Sequence, residues 1–76
     1  VDDNQWLKRM ISHHSTALTT SEKIRERSKN KQVIKLADEI IDTQEREIKQ
    51  MKNLIKKLSI KLLSIIVQLH KRNLVG

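Results

Sequence analysis

A run of residues at alternating spacings of three and four, all but one of them apolar, limits what this chain can fold into. We call this run the seam, and its members are Ile34, Ala37, Ile41, Gln44, Ile48, Met51, Ile55, Leu58, Leu62, Ile65 and Leu69. The spacing is that of a heptad repeat, and neither Gly nor Pro interrupts it. The pattern therefore predicts one long helix.

A shorter helix is predicted before the seam. The acidic and amide side chains at positions 2–4 offer an N-cap, and apolar residues then recur at helical spacing over positions 7–24. The pattern stops at the polar stretch 28–31, where Asn30 is the predicted N-cap of the second helix. Because the connection is short, we predict an all-α, antiparallel two-helix hairpin over residues 2–58, in which positions whose numbers sum to about 60 face each other.

The apolar pattern continues beyond the reach of the first helix. Residues 59–76 are predicted to form a basic amphipathic helical extension that is continuous with the second helix. Two alternatives stay open, namely a break near Ser59 with a returning third helix, or a poorly ordered tail. Because so short a chain buries little surface by itself, we expect a homo-oligomer, a dimer or higher, built through the seam Ile34–Leu69. Two hairpins would then complete a four-helix bundle.

The net charge of +7 is concentrated in the last third of the chain. Residues 31–48 carry three basic and five acidic side chains, whereas residues 49–76 carry seven basic and no acidic ones. A basic amphipathic helix can contact an anionic surface, here through Lys49, Lys52, Lys56, Lys57 and Lys61. The simpler interpretation is a solvated lysine face, and we do not expect a nucleic-acid partner.

A small group of metal-ligating side chains is predicted at the middle of the hairpin. The antiparallel pairing sets Met10 opposite Met51, and His14 lies one turn from Met10 on the same face. Thioether and imidazole groups suit Cu(I), so these three residues form a candidate copper site. The neighbouring His13 lies about 100° further round the helix, in an assisting or exposed position.

The second helix adds two polar residues to this group. Gln44, in the seam, and Glu47, near His14, are placed to orient an imidazole or to complete a coordination sphere. Both kinds of residue also have an ordinary structural interpretation. Methionine at a helix interface is more often a core filler than a ligand, and a polar residue in a seam more often fixes the register.

Two blocks of residues occur together at a specific spacing. They are the run Asp3-x-x-Trp6-x-x-x-Met10-Ile11-x-His13-His14-x-x-Ala17 and the run Leu36-Ala37-x-x-Ile40-Ile41-x-x-Gln44-x-x-Glu47-Ile48-x-x-Met51. With these blocks the chain resembles the domain-of-unknown-function family 305. The resemblance implies a ferritin-like helical bundle, and bacterial proteins that are mostly secreted, periplasmic or membrane-attached. It also implies metal ligands at Met10, His13, His14 and Met51, because some members are implicated in binding and resisting copper or silver.

The expected function is therefore that of a small helical domain, not an enzyme, which binds a soft metal ion such as Cu(I) in metal handling or resistance. The chain departs from the family pattern at Thr16 and Thr20, where members often carry further Met. No Glu precedes a His by three positions, as a di-iron oxidase would need, and the single Gly excludes a glycine-rich loop. The alternative is a structural oligomerisation module without metal, which contacts anionic surfaces through its basic C-terminal helix.

Overall fold

Two helices make up the protein. The computed structural model describes the backbone of residues 2–75 and the side chains of residues 2–71. Helix α1 spans Asp3–Arg27 and helix α2 spans Lys31–Val75, and this part of the chain contains no strand. The all-α class is confirmed. α2 passes Ser59 as one helix, without the break that a returning third helix would need, and Gly76 lies outside the described residues.

Both helices begin where the sequence offers a capping side chain. The Asp2 carboxylate accepts a hydrogen bond of 2.8 Å from the backbone N–H of Gln5, and the Gln5 side chain accepts one in return from the Asp2 N–H. This capping box satisfies backbone donors that a helix leaves unpaired at its start. The side-chain oxygen of Asn30 lies 2.9 Å from the backbone nitrogen of Gln32 and 3.2 Å from that of Val33. Asn30 is therefore the N-cap of α2, as predicted.

A short turn makes the helices antiparallel. Ser28 leaves the helical conformation, and its hydroxyl accepts a hydrogen bond of 3.1 Å from the backbone N–H of Asn30. Two contacts between side chains then fix the register, one between His14 and Glu47 and one between Arg25 and Asp38. Arg25 comes later in α1 than His14, and its partner Asp38 comes earlier in α2 than Glu47, as an antiparallel arrangement requires. These pairings agree with the predicted sum of about 60.

The core of the hairpin is small and lies where the two helices overlap. It consists of a buried cluster with partly buried neighbours: Leu7, Ile48 and Met51, with Met10, Ile11, Leu18 and Ile55 packed against them. Nearer the turn, the small side chains of Ser21 and Ala37 are buried. Small residues at these positions let the two helices approach closely.

The second half of the seam is not covered by α1. We call residues 59–71 the arm, and every side chain in it is exposed, including those of Ile60, Leu62, Leu63, Ile65, Ile66, Val67 and Leu69. The molecule is accordingly a rod of 70 × 19 × 13 Å. Among the described residues, neither helix has a stretch that is long and apolar enough to span a membrane. The four-helix bundle stays a prediction, and it is taken up below.

The close approach at Ala37 can be tested with a matched pair of leucine substitutions. Ala37→Leu is expected to lower the free energy of unfolding by about 1–3 kcal/mol, because the larger side chain has no space against α1. Lys35→Leu, at an exposed position of the same helix, is the control and should change it by about 0.5 kcal/mol or less. Urea unfolding followed by circular dichroism measures both. Equal effects of the two substitutions would contradict the packing at Ala37.

Candidate metal centre

An open cleft of about 350 Å³ lies between the first half of α1 and the middle of α2. Three of the predicted ligand residues line it, namely Met10, His14 and Met51. Met10 and His14 share a face of α1 because they are one helical turn apart, and the antiparallel register brings Met51 opposite them. The remaining walls are formed by Trp6, Leu7, Glu47, Gln50 and Leu54.

The side chains of Met10 and Met51 line the cleft and also pack in the hydrophobic core. Met51 is only 7% exposed and forms the buried cluster with Leu7 and Ile48. Met10 is partly buried and packs against that cluster. Both sulfur-bearing side chains are thus held by packing, which limits the positions that they can take in the cleft.

The imidazole of His14 is held through both of its ring nitrogens. Its Nδ1 lies 2.8 Å from the backbone carbonyl oxygen of Met10, one turn earlier in α1. A carbonyl oxygen only accepts hydrogen bonds, so Nδ1 carries a proton and donates it. The other nitrogen, Nε2, contacts a carboxylate oxygen of Glu47 on α2, a residue that also lines the cleft.

The contact between His14 and Glu47 joins the two helices at the rim of the cleft. The side chain of His14 is 16% exposed and that of Glu47 is 43% exposed. A cation that binds Nε2 would have to displace the Glu47 carboxylate from this contact or lie beside it.

Two other predicted site residues lie apart from the cleft lining. His13 is exposed, because it is rotated away from the face that His14 presents to α2. Gln44 lies between the helices, where its side-chain oxygen is buried without a hydrogen-bond partner. Both residues were predicted to orient the imidazole or to complete a coordination sphere. Glu47 contacts His14, whereas no hydrogen bond joins Gln44 to it.

Sequence reasoning missed Trp6, the only aromatic residue in the chain, as part of the cleft. The signal was available, since Trp6 precedes Met10 by four positions and so lies on the same face of α1. On α2, Gln50 and Leu54 are near Met51 in the sequence and also line the cleft.

The donor set of the cleft is soft. Within the described residues, no group of three or more His, Asp or Glu side chains is placed to hold a metal ion. Two thioethers and one imidazole nitrogen instead form the kind of ligand set that favours Cu(I). The residues at the cleft thus fit the metal that the family resemblance implies.

Comparison with known proteins gives the family. The family described as Domain of unknown function (DUF305) matches residues 2–60. The chain belongs to this family. The match confirms the resemblance found from the two blocks of residues, and it ends where the arm begins. No solved structure matches the chain.

The chain is similar to a viral protein, the "Uncharacterized protein L153" of Acanthamoeba polyphaga mimivirus, to which it is 42% identical over 55 residues. The aligned part makes up 72% of this chain and 36% of the relative, so the chain spans about a third of the relative's length. Because this relative is viral, it does not support the bacterial setting that the resemblance implied.

The contact between His14 and Glu47 should stabilise the hairpin more than the pair nearer the turn. A double-mutant cycle with His14→Gln and Glu47→Gln is expected to give a coupling energy of about 1 kcal/mol, reduced by the exposure of the carboxylate. The matched cycle, Arg25→Gln with Asp38→Asn, is expected to give about 0.5 kcal/mol or less, since both side chains are about half exposed. Urea unfolding measures both cycles. A larger coupling at Arg25 would show that the imidazole is not held as described.

Proposed function

We propose that this chain is a non-enzymatic helical domain that binds one soft metal ion, Cu(I) or Ag(I), through Met10, His14 and Met51. The observation that supports it best is that these three side chains line one cleft, although they come from two helices. Thioether sulfur is a weak ligand for harder cations and a good one for Cu(I). The ligand set therefore favours soft ions over hard ones. We propose that the domain uses this selectivity in metal handling or resistance.

The hydrogen bond from His14 supports its assignment as a ligand. Metal-binding histidines usually donate the N–H of the ring nitrogen that does not bind the metal to a carbonyl or carboxylate oxygen. In His14 that bond is made by Nδ1 to the Met10 carbonyl, which leaves Nε2 as the nitrogen that binds. The carboxylate of Glu47 would then lie beside the ion. His13 is not included in the ligand set, because it is exposed and does not line the cleft.

Titration of the full chain with Cu(I) under reducing, anaerobic conditions tests this proposal, with Ag(I) as a second soft probe. One equivalent is expected to bind, to shift the Met methyl and His14 ring NMR signals, and to change the fluorescence of Trp6 in the cleft wall. Each of Met10→Leu, Met51→Leu and His14→Gln should weaken binding by about tenfold or more, since each removes one donor and keeps a similar volume.

Two controls make the result specific. His70→Gln removes a histidine from the exposed arm and should leave the affinity unchanged. Mg²⁺ should produce no spectral change, because the donor set is soft. Unchanged Met methyl and His14 signals at a molar excess of both soft ions would refute the proposal.

A second candidate function is self-association, which the exposed arm favours. Leu62, Ile65 and Leu69 of the arm continue the repeat that packs on α1 in the first half of α2, yet α1 does not reach them. Exposed apolar patches of this extent are typical of surfaces that bind another chain. In this interpretation the domain builds a homo-oligomer through the seam, whether or not it also binds a metal.

The role of the arm in self-association can be tested with one charged substitution on the seam and another on the polar side of the arm. Leu62→Asp is expected to weaken self-association by about a hundredfold or more, because a carboxylate would be buried in the contact. Ser64→Asp adds the same charge on the polar side of the arm and should leave the association within about threefold of the unaltered chain. Sedimentation equilibrium gives both constants. If the unaltered chain is monomeric at all accessible concentrations, this second candidate is wrong.

A further inference from the structure

The side chain of Trp6 is the largest apolar group in the molecule, yet it lies outside the hydrophobic core. It is 53% exposed, whereas its neighbour Leu7 is 4% exposed and belongs to the buried cluster. An indole stabilises a fold mainly by burying its large apolar surface, and a half-exposed one uses only part of it. The packing of the hairpin therefore does not explain why an indole stands in the wall of the metal cleft.

The residues that line the metal cleft follow one another along the hairpin axis. On α1, Trp6, Met10 and His14 are one helical turn apart and share a face. On α2, Met51 lies opposite Met10, and Leu54 follows about one turn later, level with Trp6 in the antiparallel register. The imidazole is thus at one end of the cleft, the two thioethers are in the middle, and the indole is at the other end.

The indole end of the cleft leaves a bound ion without a ligand on that side. Among the residues that line this end, Leu7 and Leu54 carry only hydrocarbon, and the indole nitrogen of Trp6 donates hydrogen bonds but accepts none. The face of an indole nevertheless attracts a cation that lies within about 6 Å of the ring centre. One turn of four residues rises about 6 Å, so the indole is within reach of an ion held by Met10.

The indole has open space in which to lie over the ion. A second cleft of about 260 Å³ adjoins the metal cleft beyond Trp6, toward the start of α1, where Asp3 and Leu58 line it. Trp6 lines both clefts, and its half-exposed side chain is not enclosed by the core. A change in the orientation of the ring therefore requires no rearrangement of the buried cluster.

We propose that Trp6 determines the selectivity of the metal centre, because its indole face covers the ion held by Met10, His14 and Met51. This inference deepens the proposed function and rests on it. The face attracts the cation but supplies no donor atom, and it fills the place of a fourth ligand or a water molecule. Zn²⁺ takes four ligands, and Cu(II) prefers a square-planar set of nitrogen and oxygen ligands, so the covered site disfavours both ions.

Removal of the aromatic face tests its contact with the ion. Trp6→Leu keeps an apolar side chain and should weaken the binding of Ag(I) and Cu(I) by about threefold to thirtyfold, and Trp6→Phe should weaken it less. In the unaltered chain, the Trp6 ring-proton NMR signals should shift in step with the Met methyl signals up to one equivalent of ion. Leu58→Ala removes apolar surface from the second cleft only and should leave the affinity unchanged.

A histidine substitution tests how near position 6 is to the ion. Trp6→His replaces the indole by an imidazole on the face of His14, near the carboxylate of Glu47, and three such ligands with a water molecule can hold Zn²⁺. This variant should bind Zn²⁺ about tenfold or more tightly than the unaltered chain does. Leu58→His places the same group in the second cleft and should leave the Zn²⁺ affinity unchanged. Isothermal titration calorimetry measures both variants.

The outcomes separate this inference from the proposed function on which it rests. If neither soft ion shifts the Met methyl and His14 ring signals, both are refuted. If those signals shift but the Trp6 ring signals do not, or if Trp6→Leu binds both ions as tightly as the unaltered chain, only the role of Trp6 is refuted. Equal losses of affinity in Trp6→Leu and Leu58→Ala, or no gain of Zn²⁺ binding in Trp6→His, would also refute it.

Discussion

The unequal length of the two helices is the constraint on which the rest of the structure depends. α1 has 25 residues and α2 has 45, so α1 covers little more than half of its partner. Apolar side chains leave water only where the helices overlap, and the core around Leu7, Ile48 and Met51 forms there. Beyond Leu58 the same repeat is exposed. A hairpin of this size buries little surface by itself. A partner that covered the arm would therefore also add to the stability of the molecule.

The core and the candidate metal centre share side chains, which couples packing to binding. Met51 is part of the buried cluster and also lines the cleft, and Met10 packs against that cluster. An ion held by residues of α1 and α2 joins the two helices at the place where they already pack. Because such a site does not exist in the unfolded chain, the free energy of binding an ion would add to the stability of the hairpin. A bound ion would therefore stabilise a hairpin whose hydrophobic core is small.

Periodicity and capping chemistry were enough to predict the two helices, the cap at Asn30, the register and the grouping of Met10 with Met51. They placed His14 on the same face as Met10, but they left open whether His13 assists it or is exposed, because that depends on how α1 is rotated about its axis by packing. They also assigned Gln44 and Glu47 the same role, which was to orient an imidazole or to complete a coordination sphere. In the structure Glu47 contacts the imidazole and Gln44 does not, since a helical repeat gives the face of a residue and not the reach of its side chain.

Nearly all of the arm lies beyond the part of the chain that matches the family, since the match ends at residue 60. A partner that covered the arm and the adjoining end of the hairpin would also limit the access of water to the clefts, because Leu54 and Leu58 line them on that side. Exclusion of water there would strengthen the pairing between a bound cation and the Glu47 carboxylate. An ion that binds the closed cleft more tightly than the open one would stabilise such an assembly by that difference, and the assembly would raise the affinity by the same factor.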